Sequence, residues 1–543
     1  MKILGIKYTH DASVALVEDG RLRFSIELEK TGVPCARHPK MPHRSWIDDV
    51  LAREKLSAAD IDAFVVDGWN LKRQRFVAAA GYNEFDGGVT VDPLTRTEFP
   101  AAQLTGKHVA PYTSYTHATT HLLGIYALSP FAPAAEDAVL ITWDGGHSAR
   151  AYMLQPRQSH LVFLGVLVDL CASVYTHMGL YFGPYKRPAV IEAPEIPFRA
   201  FGQVEWPGKL MAWLAHGQPR PELRSKVAAA LDALPPAGLA VSDDADREHT
   251  FLRALRGFDD ADVLATVHAV LGDRFVQRAM ELCPRLPVVL SGGAALNIKW
   301  NSALRRCGHF PAVWAPPVAN DSGSAIGAAF CEYRHRTGRW HLDWNVYSGP
   351  ALRTGALTGW TARPTSAEDI GGRLVRQPEE PVILLRGRAE IGPRALGHRS
   401  IIASAVRPEN KDLLNRIKRR EAFRPVAPIC LESEAAKVFD PGWHDPFMVF
   451  EQTVRREWKS RIPAVVHLDG TARVQTVSVA QEPFLATLLG AYHAATGVPV
   501  LCNTSANRSG AGFFESIADT AAWAAEVGIN AIVAENMLYE RNA

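Results

Sequence analysis

Lys2–Leu28 reads KILGIKYTHDASVALVEDGRLRFSIEL. The apolar-rich pattern of Lys2–Tyr8 predicts a strand, Thr9-His10-Asp11 breaks it, and Ala12–Glu18 resumes it. Asp19-Gly20 is a hairpin signal, and a third strand follows from Leu22 to Leu28. The same plan returns later: Ala138–Trp143 is an apolar strand, Asp144-Gly145-Gly146-His147 a turn, and Arg150–Leu154 the next strand. Two strand–polar turn–strand units in one chain predict an internal duplication.

Between the two units, Ser114 is expected to cap a helix containing His117, His121, Leu122 and Ile125. Beyond them, Pro287–Leu290 is a short strand, and SGGAALN (Ser291–Asn297) opens a helix. NDSGSAIG (Asn320–Gly327) is a small-residue turn entering another helix. His341–Ser366 has little periodicity and several Gly, Pro and Thr residues, which places a domain boundary there. The remainder starts with a strand, Pro381–Leu385, and is richer in arginine clusters.

A chain of 543 residues exceeds the roughly 250–300 at which one core stops growing, so at least two domains are expected. Lys plus Arg (59) nearly balances Asp plus Glu (57), so no basic field points to nucleic acid or anionic lipid. The seven cysteines, Cys35 among them, form no CxxC pair, which predicts reduced thiols rather than a zinc ribbon. The start runs straight into a strand pattern without a signal-peptide core, and no apolar run reaches the roughly 18–20 residues that span a bilayer. A cytoplasmic enzyme is expected.

The turns Thr9–Ser13 and Asp144–His147 suit phosphate binding, since small side chains let backbone N–H groups reach an anion, and Asp144 could hold a cation. Each turn taken singly is more often an ordinary hairpin. His117 and His121, four apart, share one helix face and could both ligate a metal, although a lone HxxxH is more often accidental. Asp321 is the candidate third ligand, and two imidazoles with one carboxylate leave coordination positions open to substrate. Gly292 and Gly293, after a strand and before the helix entered at Asn297, suit close packing of a nucleotide, or only a tight helix start. In the second half, the guanidiniums of Arg394, Arg424 and Arg473 offer forked donors to phosphate oxygens, with Lys418 beside them and Asn503 and Ser505 at a strand end to orient them. The bland alternative is a solvated basic face.

Ten segments in order now carry a resemblance: THDAS, HATTH, WDGGH, PGKLM, SGGAALN, NDSGSAIGAA, EIGPRALGHRS, IKRREAFRPVAP, DGTARVQTV and CNTS. Over nearly the whole chain the sequence resembles the natural-product O-carbamoyltransferases of the tobramycin, nodulation-factor and cephem type. The resemblance implies an α/β and α+β chain: a Kae1-like domain of the actin/hexokinase (ASKHA) type over 1–350, a linker over 351–375 and a YrdC-like domain over 376–543. It implies that the second domain makes carbamoyl-adenylate from carbamoyl phosphate and ATP at Arg394, Lys418, Arg424, Arg473, Asn503 and Ser505, with Mg2+ accompanying ATP. The first would transfer the carbamoyl group to a hydroxyl-bearing small molecule. There Asp11, Asp144, Gly145, Gly146, Gly292, Gly293 and Asn297 would face the nucleotide, His117, His121 and Asp321 would hold Fe(II), and His10 would deprotonate the acceptor. Ala506 stands where the family has an aromatic residue, and Ala212–Gly217 departs after PGKLM; both bear on acceptor contacts more than on the reaction.

The acceptor is not legible, and oligomeric state stays open, a homodimer included. A threonylcarbamoyl-transfer enzyme of tRNA modification shares both domain types, but the charge balance disfavours nucleic acid. A nucleotide-gated module of the actin/Hsp70 type would account for the first domain alone and leave the later Arg/Lys/Asn/Ser set without a use.

Overall fold

The strand Lys2–Lys7 (β1) turns at Thr9–Asp11 into Ser13–Glu18 (β2), which pairs antiparallel with it. Asp19 and Gly20 both take positive φ, 49° and 86°, as the two-residue hairpin to Arg21–Glu27 (β3) requires. Ala63–Asp67 (β4) lies parallel to β1 on its other side, and the sheet continues through Val109–Tyr115, β6, to Thr97–Gln103, β5. The second sheet repeats the plan. Ala138–Asp144 (β7) pairs antiparallel with His147–Gln155 (β8), which neighbours His160–Cys171 (β9). On its other side β7 lies parallel to Val288–Ser291 (β10), itself parallel to Val313–Trp314 (β11). The orders β3-β2-β1-β4-β6 and β9-β8-β7-β10-β11 match strand for strand and direction for direction. The duplication read from the turns is therefore real at the level of topology.

The structure is a computed structural model that describes residues 1–32, 41, 43–70, 75–76, 94–186, 206–234, 254–255 and 257–542. Cys35 lies outside the described residues, and the other six cysteines are free thiols. The chain divides into two units, Met1–Ser25 with Arg37–Asn345 and Ile26–Ala36 with Val346–Ala543. None of the helices among the described residues is long and apolar enough to cross a membrane.

Three helices position the chemistry of the first unit. His117–Leu128 (α1) is buried along its whole length, and its N-cap is Thr116, whose side chain accepts from Thr119 N. Ser114, expected as the cap, instead sits in β6 and donates to Val66 O at 2.7 Å. The helix therefore starts two residues later than that expectation. Ile298–Arg306 (α2) follows β10, and Ser324–Thr337 (α3) packs on β1, β2 and α1. The small residues of Asn320–Ala329 make that packing possible. A Cβ on Gly327 would stand 2.0 Å from Thr120 O, and one on Gly124 2.2 Å from Gly327 Cα.

The second unit is built on an eight-stranded sheet. Its order is Trp360–Pro364 (β12), Met537–Arg541 (β19), Ala531–Ala534 (β18), Val382–Leu385 (β13), Arg399–Ser404 (β14), Val500–Ser505 (β17), Ala427–Leu431 (β15) and Gln475–Val477 (β16). Ile383, Ile401, Leu489 and Leu501 are among the buried residues of its core. Within 351–375, expected to be a linker, the chain forms β12 and most of Ala367–Arg376 (α4). A Ser366/Asp369 capping box starts that helix, whose buried Ala367, Ile370, Gly371 and Leu374 share one face, and β12 is the sheet's edge strand and mostly exposed.

Candidate active sites

In the first unit, strand and helix ends bring six ionisable side chains together. Lys7 ends β1, Asp67 ends β4, His117 and His121 occupy the first turns of α1, Asp144 ends β7, and Asp321 opens the turn before α3. Ring and carboxylate atoms converge: His117 Nε2 and His121 Nε2 are 3.1 Å apart, and Asp321 Oδ1 lies 3.2 Å from the first and 3.1 Å from the second. Metal–ligand bonds of about 2.1 Å at right angles put adjacent donors ~3.0 Å apart, so this trio has the spacing of one face of a coordination shell. Asp144 joins it, with one ligand atom from each of the four residues falling within 4.8 Å of the others.

The shell behind the trio is also built. Asp67 Oδ2 lies 2.9 Å from His117 Nδ1, and Asp67 Oδ1 accepts from Thr120 Oγ1 at 2.6 Å. A carboxylate behind the ring is the usual support of a metal-ligating histidine and leaves Nε2 facing the centre. Lys7 Nζ lies between carboxylates, 3.0 Å from Asp67 and 2.8 Å from Asp321. Burial disfavours charge on His117, but Asp67 and then Asp321 outweigh it and push its pKa up to about 10. Burial opposes charge on Asp321 as well, yet Lys7 and His117 hold it well below the carboxylate range. His121 Nδ1 has no partner among the described residues, so its ring is held from one side only. These donors fit a divalent cation.

His10 and Asp11 stand in the β1–β2 turn beside this centre. His10 Nδ1 lies 3.1 Å from Asp11 Oδ2, and its Nε2 lies 3.5 Å from Asp321 Oδ2. Burial works against the imidazolium, while Asp321 and Asp11 raise the pKa above 6.5. The glycine turns have distinct uses. Gly292 takes φ 82°, and a Cβ there would stand 2.4 Å from Trp143 O, so only glycine lets β10 end against β7. Gly293 N then donates to Asp144 Oδ1 at 2.6 Å. Gly145 and Gly146 follow Asp144, and a Cβ on Gly145 would meet nothing within 4 Å. Asn297 is turned to structure: its Oδ1 caps α2 through Lys299 N and Trp300 N, and its amide meets His268. Sequence reading missed Lys7 and Asp67. The available signals were a lysine inside an apolar strand and an aspartate ending AFVVD (Ala63–Asp67).

In the second unit, cations collect with few anions. Arg473 has its guanidinium pKa lowered to about 10 by burial and by Arg424, against a weaker pull from Asp445. Arg420 falls to about 9, through burial, Arg424 and Arg473. Lys418 drops well below 10.5 through burial, Arg420 and Arg424. Mutually repelling, desolvated cations mark an anion site. Lys418 Nζ donates to Ser505 O at 2.8 Å, Asn507 O at 2.6 Å and Asn507 Oδ1, so it ties the turn after β17. Arg420, absent from the sequence-derived set, donates to Thr504 Oγ1. Asn503 donates to Gln475 Oε1 at 2.8 Å and to Ala395 O at 3.1 Å. The loop bearing Arg394 is moulded by Glu390 Oε1, which accepts from Leu396 N and His398 N at 2.7 Å each. Arg399 completes it, donating to the carbonyls of Phe514, Arg386 and His398.

The carbamoyltransferase N-terminus family model matches residues 2–330 and the carbamoyltransferase C-terminus model residues 376–541. The chain is 40% identical to Nodulation protein U of Rhizobium tropici, over 96% of this chain and 94% of that protein. It is 39% identical to Nodulation protein U of Bradyrhizobium diazoefficiens, over 96% and 95% respectively. With the 3'-hydroxymethylcephem-O-carbamoyltransferase of Streptomyces clavuligerus it shares 32% identity over the whole of both chains. The chain belongs to the carbamoyltransferase family and is a transferase enzyme of that kind.

Proposed function

We propose that this carbamoyltransferase activates carbamoyl phosphate with ATP in its second unit and transfers the carbamoyl group to the hydroxyl of a small molecule in its first. The observation that carries this reading is the cluster of Arg420, Arg424 and Arg473, in which burial and the charge of Arg424 lower the pKa of both Arg420 and Arg473, so that an anionic ligand would be stabilised there. The duplicated sheet order supports assigning residues 1–350 to a Kae1-like domain of the actin/hexokinase type, and the second unit is read as YrdC-like over 376–543.

Carbamate is a poor electrophile, being anionic and resonance-stabilised. Water cleaves carbamoyl phosphate to carbamate and phosphate. A carbamate oxygen then attacks the α-phosphorus of ATP, forming the C–O–P linkage of carbamoyl-adenylate and releasing pyrophosphate. Arg394, Arg424 and Arg473 bind the phosphates and stabilise charge as it moves to the leaving groups. In the first unit, His10 takes the acceptor's proton at Nε2 while the hydroxyl oxygen attacks the carbamoyl carbon; the bond to AMP breaks and AMP departs with the electron pair. Asp11 holds Nδ1 of that ring. A cation bound by His117, His121 and Asp321 supplies Lewis acidity towards a phosphate or carbonyl oxygen. The imidazole-rich donors favour Fe(II) there over Mg2+, which prefers oxygen ligands and accompanies ATP.

The test is pyrophosphate release from ATP with and without carbamoyl phosphate, followed by mass analysis of hydroxylated natural products for the gain of one carbamoyl group. Carbamoyl phosphate should stimulate release. His10→Ala should lose carbamoylation of the acceptor and keep pyrophosphate release; loss of both contradicts the division of labour.

A further inference from the structure

The side-chain amide of Asn503 has one permitted orientation. Gln475 Nε2 donates to Leu396 O at 2.8 Å, which turns Gln475 Oε1 toward Asn503. That oxygen and Ala395 O both face the same Asn503 atom, at 2.8 and 3.1 Å. Two acceptors there require the amino group, since the flipped amide would set oxygen against two oxygens. By elimination Asn503 Oδ1 points the other way, and it is buried with no hydrogen-bond partner among the described residues. Asn503 as a whole is 1% exposed and Gln475 2%.

A buried acceptor left without a donor costs about 1–3 kcal/mol, so a ligand group that donates to it gains that much affinity. Its position in the chain places it with the cationic set: Ala395 adjoins Arg394, and Gln475 is two residues beyond Arg473. Phosphate and carboxylate oxygens are acceptors and cannot satisfy Oδ1. An N–H group can.

We infer that Gln475 is a positioning residue that holds Asn503 Oδ1 as an acceptor for the amino group of the one-carbon substrate, making the site selective for carbamoyl phosphate over its methyl isostere, acetyl phosphate. The inference rests on the adenylation reading given above. Acetyl phosphate is the informative competitor because water and ATP would convert it by the same balanced steps to acetate, then acetyl-adenylate and pyrophosphate. It differs only in presenting CH3 where carbamoyl presents NH2. A site built to hydrogen-bond a substrate group rejects an analogue lacking that group by far more than the loss of one methylene would.

The experiment measures pyrophosphate release by the full-length protein with each acyl phosphate, for the wild type, Gln475→Met and Gln475→Glu. The wild type should prefer carbamoyl phosphate by at least about 100-fold in kcat/KM. Gln475→Met removes both hydrogen bonds, frees the Asn503 amide to turn, and should cut that preference at least tenfold, as expected when one hydrogen bond's worth of discrimination is lost. Gln475→Glu, with its buried carboxyl protonated, donates to Leu396 O through O–H, keeps an oxygen facing Asn503 Nδ2, and should retain most of the preference. The preference is a ratio on one enzyme sample, so partial unfolding does not move it. A wild type that uses both acyl phosphates equally, or a Gln475→Met protein with the wild-type ratio, overturns the inference. So does a Gln475→Met protein whose changed discrimination is between ATP and GTP, because Asn503 would then be reading the base. If the wild type releases no pyrophosphate with carbamoyl phosphate, the adenylation reading falls instead. Calorimetric binding of the two acyl phosphates to the same three proteins then decides the role of Gln475: equal wild-type affinities, or a wild-type affinity ratio in Gln475→Met, reject it.

Discussion

Arg419 and Arg420 are neighbours in a run of cations, yet they meet opposite surroundings. The Arg419 side chain is 71% exposed and pairs with Glu526. Arg420 is desolvated, donates to Thr504 and sits against Arg424 and Arg473. Arg420→Ala should therefore lower carbamoyl-phosphate-dependent pyrophosphate release by about 100-fold or more, the usual scale for deleting a charge-stabilising donor. Its melting temperature should hold or rise, because a repelling cation has been removed. An active variant, or one that is inactive only because it is unfolded, would take Arg420 out of the site. The sequence could not single it out, since IKRREAFR presents cations at every spacing and the break after Ile417 removes the helical period that would sort them by face. Lys7 and Asp67 were hidden for another reason. They meet only because β1 and β4 pair in parallel register, which no local pattern encodes. His117 and His121 were legible because their shared face is local to one helix, whereas Asp321, about two hundred residues away, was a candidate only through its small-residue turn, and no local pattern ties that turn to the helix.

At the scale of elements, the crossing of α1 and α3 decides whether the histidines and Asp321 can meet. Both helices approach through glycine, and the backbone of Thr120 lies between the two histidine positions at the contact. Gly327→Ala would force a Cβ to within 2.0 Å of Thr120 O, so the helices must part by more than an ångström. Overpacking of this kind costs about 1–3 kcal/mol. The expected result is a lower melting temperature together with weaker binding of a divalent cation by the folded protein, read by titration. A variant that melts lower but binds the cation as well as wild type would show that the crossing stabilises without positioning. The run NDSGSAIG was readable as a turn entering a helix, because small residues are a local signal. That the same residues are small for close packing was not readable, since the partner helix lies about two hundred residues earlier. Strand pairs were legible wherever a turn announced them, as at Asp19-Gly20; β12 was not, because an edge strand buries too little of one face to show a period, and α4, whose Ala367, Ile370, Gly371 and Leu374 do recur on one face, fell inside a stretch expected to be a linker.

Across the whole molecule the near-balance of 59 basic and 57 acidic residues conceals a division of labour. The first unit holds carboxylates that are depressed by neighbouring cations, and the second holds cations that are depressed by one another. The most instructive carboxylate is Glu332 on α3, fully buried, with Arg96 Nε at 2.8 Å, Arg336 Nε at 2.7 Å and Tyr115 OH at 3.1 Å. Burial alone would raise its pKa, but Arg96 and Arg336 bring it down to about 2 from 4.5. A folded-state pKa below the unfolded value means that the unfolded chain binds the proton more tightly. The stabilisation is therefore complete above pH 4.5 and drains away as pH falls towards 2, amounting to about 3 kcal/mol when whole. Glu332→Gln cannot titrate, so the stability gap between wild type and variant should be near that figure at pH 6 and close to nothing at pH 2. Denaturant titrations of both proteins at intervals between those limits measure it directly. A gap that stays constant with pH would mean that Glu332 contributes shape and hydrogen bonds but no charge to the joint between α3 and the first sheet.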